Sequence, residues 1–220
     1  MLTSPGALIF DLNGTMINDM EFHMRAWAEI LNNDLKAALT PEQVKGQMYG
    51  KNSELLIRVF GEGKFTHDEM ERWSLEKEKR YQQAYKPYLR LIKGLQVFLD
   101  KALQKKIPMA IGSAAIPFNI NFILDNLDLT KYFKAIVSAD DVRISKPDPE
   151  TFLKAAGMIN VKPSDCLVFE DAPKGVEAAN LAGMKCVVLT TMHSRNEFPL
   201  TNHIVAFIED YTDPYILTLI

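Results

Sequence analysis

The stretch Ala7-Leu8-Ile9-Phe10-Asp11-Leu12-Asn13-Gly14-Thr15 lies near the start of the chain and indicates the kind of fold to expect. Four consecutive apolar residues followed by turn-forming residues are typical of a strand that is buried on both faces. The strand would end at Asp11, and the Asn-Gly pair just after it is a strong turn signal. A carboxylate at this point is a candidate functional group, because ligands of open parallel sheets bind beyond the carboxyl ends of the strands.

Five more apolar runs resemble this first one, and segments with helical periodicity lie between several of them. Strands that alternate with helices require parallel crossovers, which place helices on both faces of the sheet. The pattern therefore predicts an α/β fold, a doubly wound parallel sheet of Rossmann-like type. The further strand-like runs are 108–111, 135–137, 166–169, 186–189 and 204–207, and the helical segments are 95–104, 118–126 and 174–182.

The segment 16–91 differs from the rest of the chain because it contains no strand-like run. Its aromatic and aliphatic residues recur at helical spacing. Thr40-Pro41-Glu42-Gln43 is typical of a helix start, with Thr as the cap and Pro at the first helical position. We therefore predict a helical cap domain at residues 16–91, inserted into a core domain made of residues 1–15 and 92–220.

Composition limits the classes of protein to consider. The chain has 220 residues, 47% of them hydrophobic, and a net charge of -3, which argues against a large nucleic-acid or anionic-membrane surface. No apolar run is long enough to span a bilayer, and no basic region precedes an apolar one at the amino terminus, so we expect a cytoplasmic protein. Cys166 and Cys186 lie in apolar runs and are expected to be buried thiols.

Polar side chains follow the first four predicted strands. They are Asp11, then Gly112-Ser113-Ala114, then Ser145-Lys146-Pro147-Asp148-Pro149, and finally Glu170-Asp171-Ala172-Pro173. Carboxylates suit Mg²⁺, a lysine and a hydroxyl suit phosphate oxygens, and a carboxylate beside a cation can act as a nucleophile. Each group alone also fits a turn, a helix start or a solvated loop. Their shared position after successive strands favours a site for phosphoryl transfer.

These motifs, in this order, resemble those of the haloacid dehalogenase superfamily, and within it the beta-phosphoglucomutase-like group of phosphatases and mutases. Phe10-Asp11-Leu12-Asn13-Gly14-Thr15 resembles the first motif, and the segments at Ser113 and Lys146 resemble the second and third. The segment from Phe169 to Met184 is similar to the fourth motif and its following helix. Asn18 to Trp27 resembles the hinge and first cap helix. The resemblance covers nearly the whole chain.

The resemblance implies a Mg²⁺-dependent enzyme that acts on a small phosphorylated substrate, with the inserted helices as a cap that closes over it. A cap that moves is compatible with a monomer, which we expect. The resemblance implies that Asp11 is the nucleophile and that the metal is held by Asp11, Asn13 (through its carbonyl), Glu170 and Asp171. Ser113 and Lys146 would contact the transferring phosphoryl group. The residues implied around the substrate are His23, Lys51, Ser53, Ser113, Ala114 and Lys146.

The cap of the mutase carries an arginine that grips the distal phosphate of the substrate, and we find no matching arginine in this sequence. Lys51 is a candidate for a related task. The sequence therefore favours a phosphatase of small metabolites, in particular sugar phosphates, with a hexose-phosphate mutase as the alternative enzyme.

Asn13 is a departure from the family pattern, which has a second aspartate at this position as general acid and base. An amide does not exchange a proton at neutral pH, and losing such help costs about 10²–10⁴-fold in rate. Several interpretations stay open. One interpretation is a phosphatase that is slow or that acts on good leaving groups, and a second is a substitution introduced to trap a complex. A third is an enzyme that catalyses a different reaction of the family, and a fourth is a non-catalytic binder of phosphorylated metabolites.

Overall fold

The computed structural model describes residues 4–198 and 202–220. The chain forms two compact units, one made of Met1–Asn18 and Arg90–Ile220 and the other of Asp19–Leu89. The sequence predicts these two boundaries after residue 15 and before residue 92. We describe the units as the core unit and the inserted unit.

The core unit is built on one parallel sheet of six strands in the order β3-β2-β1-β4-β5-β6. The predicted doubly wound α/β fold is confirmed, and each predicted apolar run forms a strand. Because chain order reverses beside β1, the strands β1 and β4 lie next to each other at the switch point, where such sheets bind ligands. The strands are β1 (Ala7–Phe10), β2 (Met109–Gly112), β3 (Ala135–Val137), β4 (Cys166–Glu170), β5 (Lys185–Leu189) and β6 (Ile204–Ile208).

Helices connect the strands of the core unit and make up most of the inserted unit. The α-helices of the described residues are α1 (Met20–Ala28), α2 (Pro41–Lys45), α3 (Asn52–Phe60), α4 (His67–Tyr85), α5 (Leu95–Gln104), α6 (Pro117–Asn126), α7 (Glu150–Met158) and α8 (Pro173–Leu181). A π-helix, Glu29–Asp34, continues α1. None of the helices that the structure describes has the length and apolar character needed to cross a membrane.

Helix α7 was not predicted from the sequence. It begins directly after Pro147-Asp148-Pro149, and prolines obscure a helix start because they also mark turns. Phe152 on this helix is fully buried and packs with Ile9 and Val168 of the sheet.

Aromatic side chains cover the other face of the central strands. Phe10 of β1 and Phe169 of β4 stack with ring centroids 4.8 Å apart. Phe98 of α5 packs edge-on to both rings. Because successive strand residues point to opposite faces, the residue after each stacked ring starts the polar edge of the sheet, at Asp11 and Glu170.

The inserted unit is helical, as predicted, with its own apolar core. Thr40 accepts a hydrogen bond from the Gln43 amide, and the Gln43 side chain accepts one from the Thr40 amide, so the predicted helix start is a capping box. Thr66 and Glu69 begin α4 in the same way. The buried core of this unit is Trp27, Ile30, Leu31, Val44, Leu55 and Leu56.

Candidate active site

Lys146 joins the ends of three neighbouring strands. Its ammonium donates hydrogen bonds to Asp11 Oδ1 (2.6 Å), Glu170 Oε1 (2.8 Å) and the Gly112 carbonyl oxygen (2.9 Å). Burial lowers the pKa of Lys146, but the charges of Asp11 and Glu170 outweigh burial and hold that pKa above its ordinary value. The lysine is therefore a fixed cation beside the carboxylate at the end of β1.

Glu170 holds Lys146 in place. Its Oε2 accepts hydrogen bonds from the backbone amides of Asp171 (2.8 Å) and Ala172 (2.9 Å), while its Oε1 accepts the bond from Lys146. Both oxygens thus have protein partners in this arrangement. The assignment of Glu170 to a metal shell stays a prediction, and the observed contacts give it a role in positioning the lysine.

Asp171 follows Glu170 and lies against the loop that comes after β1. Thr15 Oγ1 donates to Asp171 Oδ1 at 3.1 Å. A Cβ atom on Gly14 would lie only 2.0 Å from Asp171 Oδ2, and Gly14 has φ +80°, so glycine is needed there for both space and conformation. The pKa of Asp171 is raised well above its ordinary value by burial and by the charges of Glu170 and Asp11.

The donor set fits a hard cation. Mg²⁺ usually takes one or two carboxylates together with carbonyl oxygens and waters, and Asp11 and Asp171 are two carboxylates whose mutual repulsion a cation would relieve. Within residues 4–198 and 202–220 there is no cluster of three or more His, Cys, Asp or Glu side chains arranged to hold a metal. The carboxylates alone therefore do not complete a cage, and waters and a backbone carbonyl would have to supply the other ligands.

The backbone of the loop at Asn13 is held by hydrogen bonds. The Gly14 amide donates to the Ile17 carbonyl oxygen (2.8 Å), and Thr191 Oγ1 donates to the Gly14 carbonyl oxygen (2.6 Å). Asn13 also forms an isolated bridge with Ile17 and is half-buried. The predicted use of the Asn13 carbonyl as a metal ligand stays a prediction.

Ser113 lies at the carboxyl end of β2, as the sequence suggested. Its amide donates to the Val137 carbonyl oxygen at 2.9 Å, and its Oγ accepts a hydrogen bond from the Ala115 amide at 3.1 Å. The serine is buried and Ala114 is half-buried. These contacts orient the Ser113 hydroxyl at the same sheet edge as Lys146, while the phosphoryl contacts predicted for both residues are untested.

His23, Lys51 and Ser53 belong to the inserted unit. The His23 ring stacks on Tyr81, with Nε2 3.2 Å from Asp19 Oδ2 and Nδ1 2.7 Å from Lys77 Nζ. Lys51 precedes α3, and Ser53 lies in its first turn. Their contact with a substrate stays a prediction.

Several polar residues escaped the sequence analysis because no local pattern marks them. In the inserted unit, Lys77 and Glu78 are buried and form an ion pair of 2.9 Å, although they lie in a run of charges that is typical of a solvated helix face. In the core unit, Thr15 and Thr191 brace the loop at Asn13 through contacts with residues more than a hundred positions away.

Gly175 provides a test of the Glu170 position. A Cβ atom there would lie 1.8 Å from Glu170 Oε1, which accepts a hydrogen bond from Lys146, while two backbone amides hold Oε2 of the same carboxylate. We expect Gly175→Ala to destabilise the fold by roughly 1–3 kcal/mol in urea unfolding, because the carboxylate must leave its partners. The matched control is Gly157→Ala on α7, which meets nothing within 4 Å. It should stabilise by roughly 0.5–1 kcal/mol. Equal urea midpoints for Gly175→Ala and Gly157→Ala would contradict the close approach of position 175 to Glu170 Oε1.

Comparison with known proteins agrees with this architecture. The family model described as haloacid dehalogenase-like hydrolase matches residues 8–189. The chain is 31% identical over 186 residues to the fructose-1-phosphate phosphatase of Escherichia coli, covering 82% of this chain and 94% of that protein. It is 32% identical over 192 residues to the beta-phosphoglucomutase of Bacillus subtilis, covering 82% and 81%.

Solved structures show the same fold. A haloacid dehalogenase hydrolase of family IA, variant 3, from Entamoeba histolytica superposes with a TM-score of 0.85 at 24% identity, over 97% of this chain and 96% of that one. The match to the family model spans the strand ends at Asp11, Ser113, Lys146 and Asp171. The chain belongs to the haloacid dehalogenase-like hydrolase family.

Proposed function

We propose that the protein is a Mg²⁺-dependent phosphatase of small phosphorylated metabolites, in particular sugar phosphates, which works through an aspartyl-phosphate on Asp11. The observation that carries the proposal is the ammonium of Lys146, held between Asp11 and Glu170 at the ends of β1, β2 and β4. A fixed cation beside a carboxylate favours the approach of an anionic phosphate to an anionic nucleophile.

The proposed reaction has two steps. An Asp11 oxygen attacks the phosphorus, so that a new O–P bond forms while the bond to the leaving alkoxide breaks. A water then attacks the phosphorus of the aspartyl-phosphate, which releases inorganic phosphate and regenerates the carboxylate. Ser113 and Lys146 would donate hydrogen bonds to the phosphoryl oxygens in both steps. Bound Mg²⁺, held by Asp11, Asp171 and the Asn13 carbonyl, would offset the negative charge of nucleophile and phosphate.

Asn13 limits the rate in this scheme. The leaving alkoxide needs a proton and the attacking water must lose one, and a side-chain amide supplies neither service. We therefore propose a slow enzyme, with the fastest turnover on substrates whose leaving group does not need protonation.

The choice of sugar phosphates rests on the relatives. The fructose-1-phosphate phosphatase and the beta-phosphoglucomutase each align with 82% of this chain. We propose that His23, Lys51 and Ser53 contact the part of the substrate away from the phosphate. In this proposal the partner is a small phosphorylated molecule, not a nucleic acid or a membrane, and the protein acts as a monomer.

A hexose-phosphate mutase is the second candidate, favoured by the similar identity to the beta-phosphoglucomutase, 32% against 31% for the phosphatase. A mutase returns the phosphoryl group to a sugar hydroxyl instead of to water. A non-catalytic binder of phosphorylated metabolites is the third candidate, and it is favoured by Asn13 at the position of the acid and base.

The test is phosphate release from a panel of sugar phosphates and pyrophosphate, with Mg²⁺ and with EDTA. We expect slow release that needs Mg²⁺ and prefers one class of sugar phosphate. Interconversion of hexose 1- and 6-phosphates with little free phosphate would show the mutase instead. Tight binding in calorimetry without turnover, in this protein and in Asn13→Asp alike, would show the binder and overturn the proposal.

A further inference from the structure

Tyr211 lies in the loop after β6 and is almost fully buried, with 2% of its surface exposed. Its ring packs on the residues that precede Asp11 and Glu170, with centroids 6.5 Å from Phe10 and 5.6 Å from Phe169. Burial, followed by the charges of Asp171 and Asp11, raises the pKa of Tyr211 well above its ordinary value, so the hydroxyl stays protonated and is a hydrogen-bond donor.

The hydroxyl of Tyr211 donates to the carbonyl oxygen of Thr15 at 3.1 Å. Thr15 in turn donates its own hydroxyl to Asp171 Oδ1 at 3.1 Å, and it is fully buried. Tyr211 therefore reaches the carboxylate of Asp171 through one intervening residue, although the two lie forty positions apart in the sequence.

Backbone contacts fix Tyr211 from the other side. Its amide donates to the Lys93 carbonyl oxygen at 2.9 Å. A Cβ atom on Gly94 would lie 2.6 Å from the Tyr211 carbonyl carbon. The segment around Gly94, where the chain returns to the core unit, therefore lies so close to the Tyr211 loop that only glycine fits at position 94. The amide of Ile92 in the same segment donates to the Met16 carbonyl oxygen at 2.9 Å. Residues 15–16 and 92–94 are thus tied to one another directly and through Tyr211.

We propose that Tyr211 is a positioning residue of the active site, which holds the loop at Thr15 so that Thr15 keeps Asp171 oriented for its cation. The proposal rests on the proposed function only for the role of Asp171. The hydroxyl, and not only the ring, carries the effect, because the hydroxyl is the atom that contacts Thr15.

The test is Tyr211→Phe, which keeps the packed ring and removes the hydrogen bond. The loss of one such bond should weaken cation binding about 2–10-fold, measured as Mn²⁺ affinity by electron paramagnetic resonance, since Mn²⁺ takes the same oxygen ligands as Mg²⁺. In the Asn13→Asp background kcat should fall by a similar factor with KM unchanged. Hydrogen exchange of the 12–17 segment should become faster.

The matched control is Tyr132→Phe, which keeps a buried ring and removes a partly buried hydroxyl that donates to Asp100 Oδ1 at 2.6 Å, away from the strand ends of the site. This variant should lose stability without a change in Mn²⁺ affinity or kcat. A double-mutant cycle with Thr15→Val tests the route, because the effect of Tyr211→Phe on Mn²⁺ affinity and on kcat should disappear once the Thr15 hydroxyl is gone. The effect on hydrogen exchange should remain, since Tyr211 contacts the Thr15 carbonyl, which valine keeps.

The proposal would be overturned if Tyr211→Phe changes Mn²⁺ affinity, kcat and hydrogen exchange by less than twofold and only loses thermal stability as Tyr132→Phe does. An effect of Tyr211→Phe on Mn²⁺ affinity that persists in the Thr15→Val background would also overturn it. A parent protein that neither binds Mn²⁺ nor releases phosphate would instead refute the proposed function. In that case the exchange of the 12–17 segment still decides the role of Tyr211.

Discussion

Replacing Asn13 by aspartate is expected to raise kcat by about 10²–10⁴-fold, the usual contribution of a positioned general acid and base. The backbone of the loop should not change, because the Gly14 amide and carbonyl are held by Ile17 and Thr191 and neither bond involves the side chain at position 13. The gain should be largest for substrates with poor leaving groups, since these depend most on protonation of the departing oxygen.

The measurement is the rate of phosphate release by both proteins across the same substrate panel, together with the intact mass of the parent protein to exclude deamidation of the Asn13-Gly14 pair. Asn180→Asp is the matched control, because it makes the same chemical change at an exposed position of α8. It should leave kcat unchanged. If the parent protein already turns over one substrate well and Asn13→Asp alters kcat by less than twofold, another group supplies the proton and our account of Asn13 is wrong.

Asp11→Asn in the Asn13→Asp background is expected to lower kcat by 10⁴-fold or more, since removal of a covalent nucleophile costs on the order of 10⁴–10⁶-fold. The variant should still fold. Lys146 keeps Glu170 as a partner at 2.8 Å after the charge at position 11 is lost, so the buried ammonium of Lys146 is not left unpaired. The Asn13→Asp background is used because the protein with Asn13 is expected to be slow, so that a further loss of about 10⁴-fold in kcat could not be measured in it.

Phosphate release and acid-quench trapping of phosphoprotein check this prediction. During turnover the Asn13→Asp protein should acquire a phosphoryl label that is stable to acid and released by hydroxylamine, and the variant that also lacks Asp11 should not. Asp140→Asn, at an exposed position, removes the same charge and should retain full activity. Undiminished labelling of the Asp11→Asn protein would place the nucleophile elsewhere, and full turnover without labelling would favour direct attack by water.

The strands and the residues at their ends could be predicted because both have local signals. A strand buried on both faces must be apolar whichever strands it pairs with, so all the apolar runs appear as strands of the sheet. Helix α7 was missed because Pro147 and Pro149, immediately before it, also signal a loop. The family resemblance then implied roles for Asp11, Ser113, Lys146 and Asp171, and these roles stay predictions.

The α/β class, the helical insertion, the strand ends at which polar groups gather and the departure at Asn13 could all be predicted from the amino-acid sequence. The folded chain was needed to show that Lys146 is shared by Asp11 and Glu170, that Glu170 faces Gly175, and that hydrogen bonds link Tyr211 to Thr15 and Thr15 to Asp171. The reason is physical. Secondary structure and buried strands follow from the spacing of neighbouring residues, whereas these contacts join segments far apart in the chain and exist only once the sheet has placed β1 beside β4.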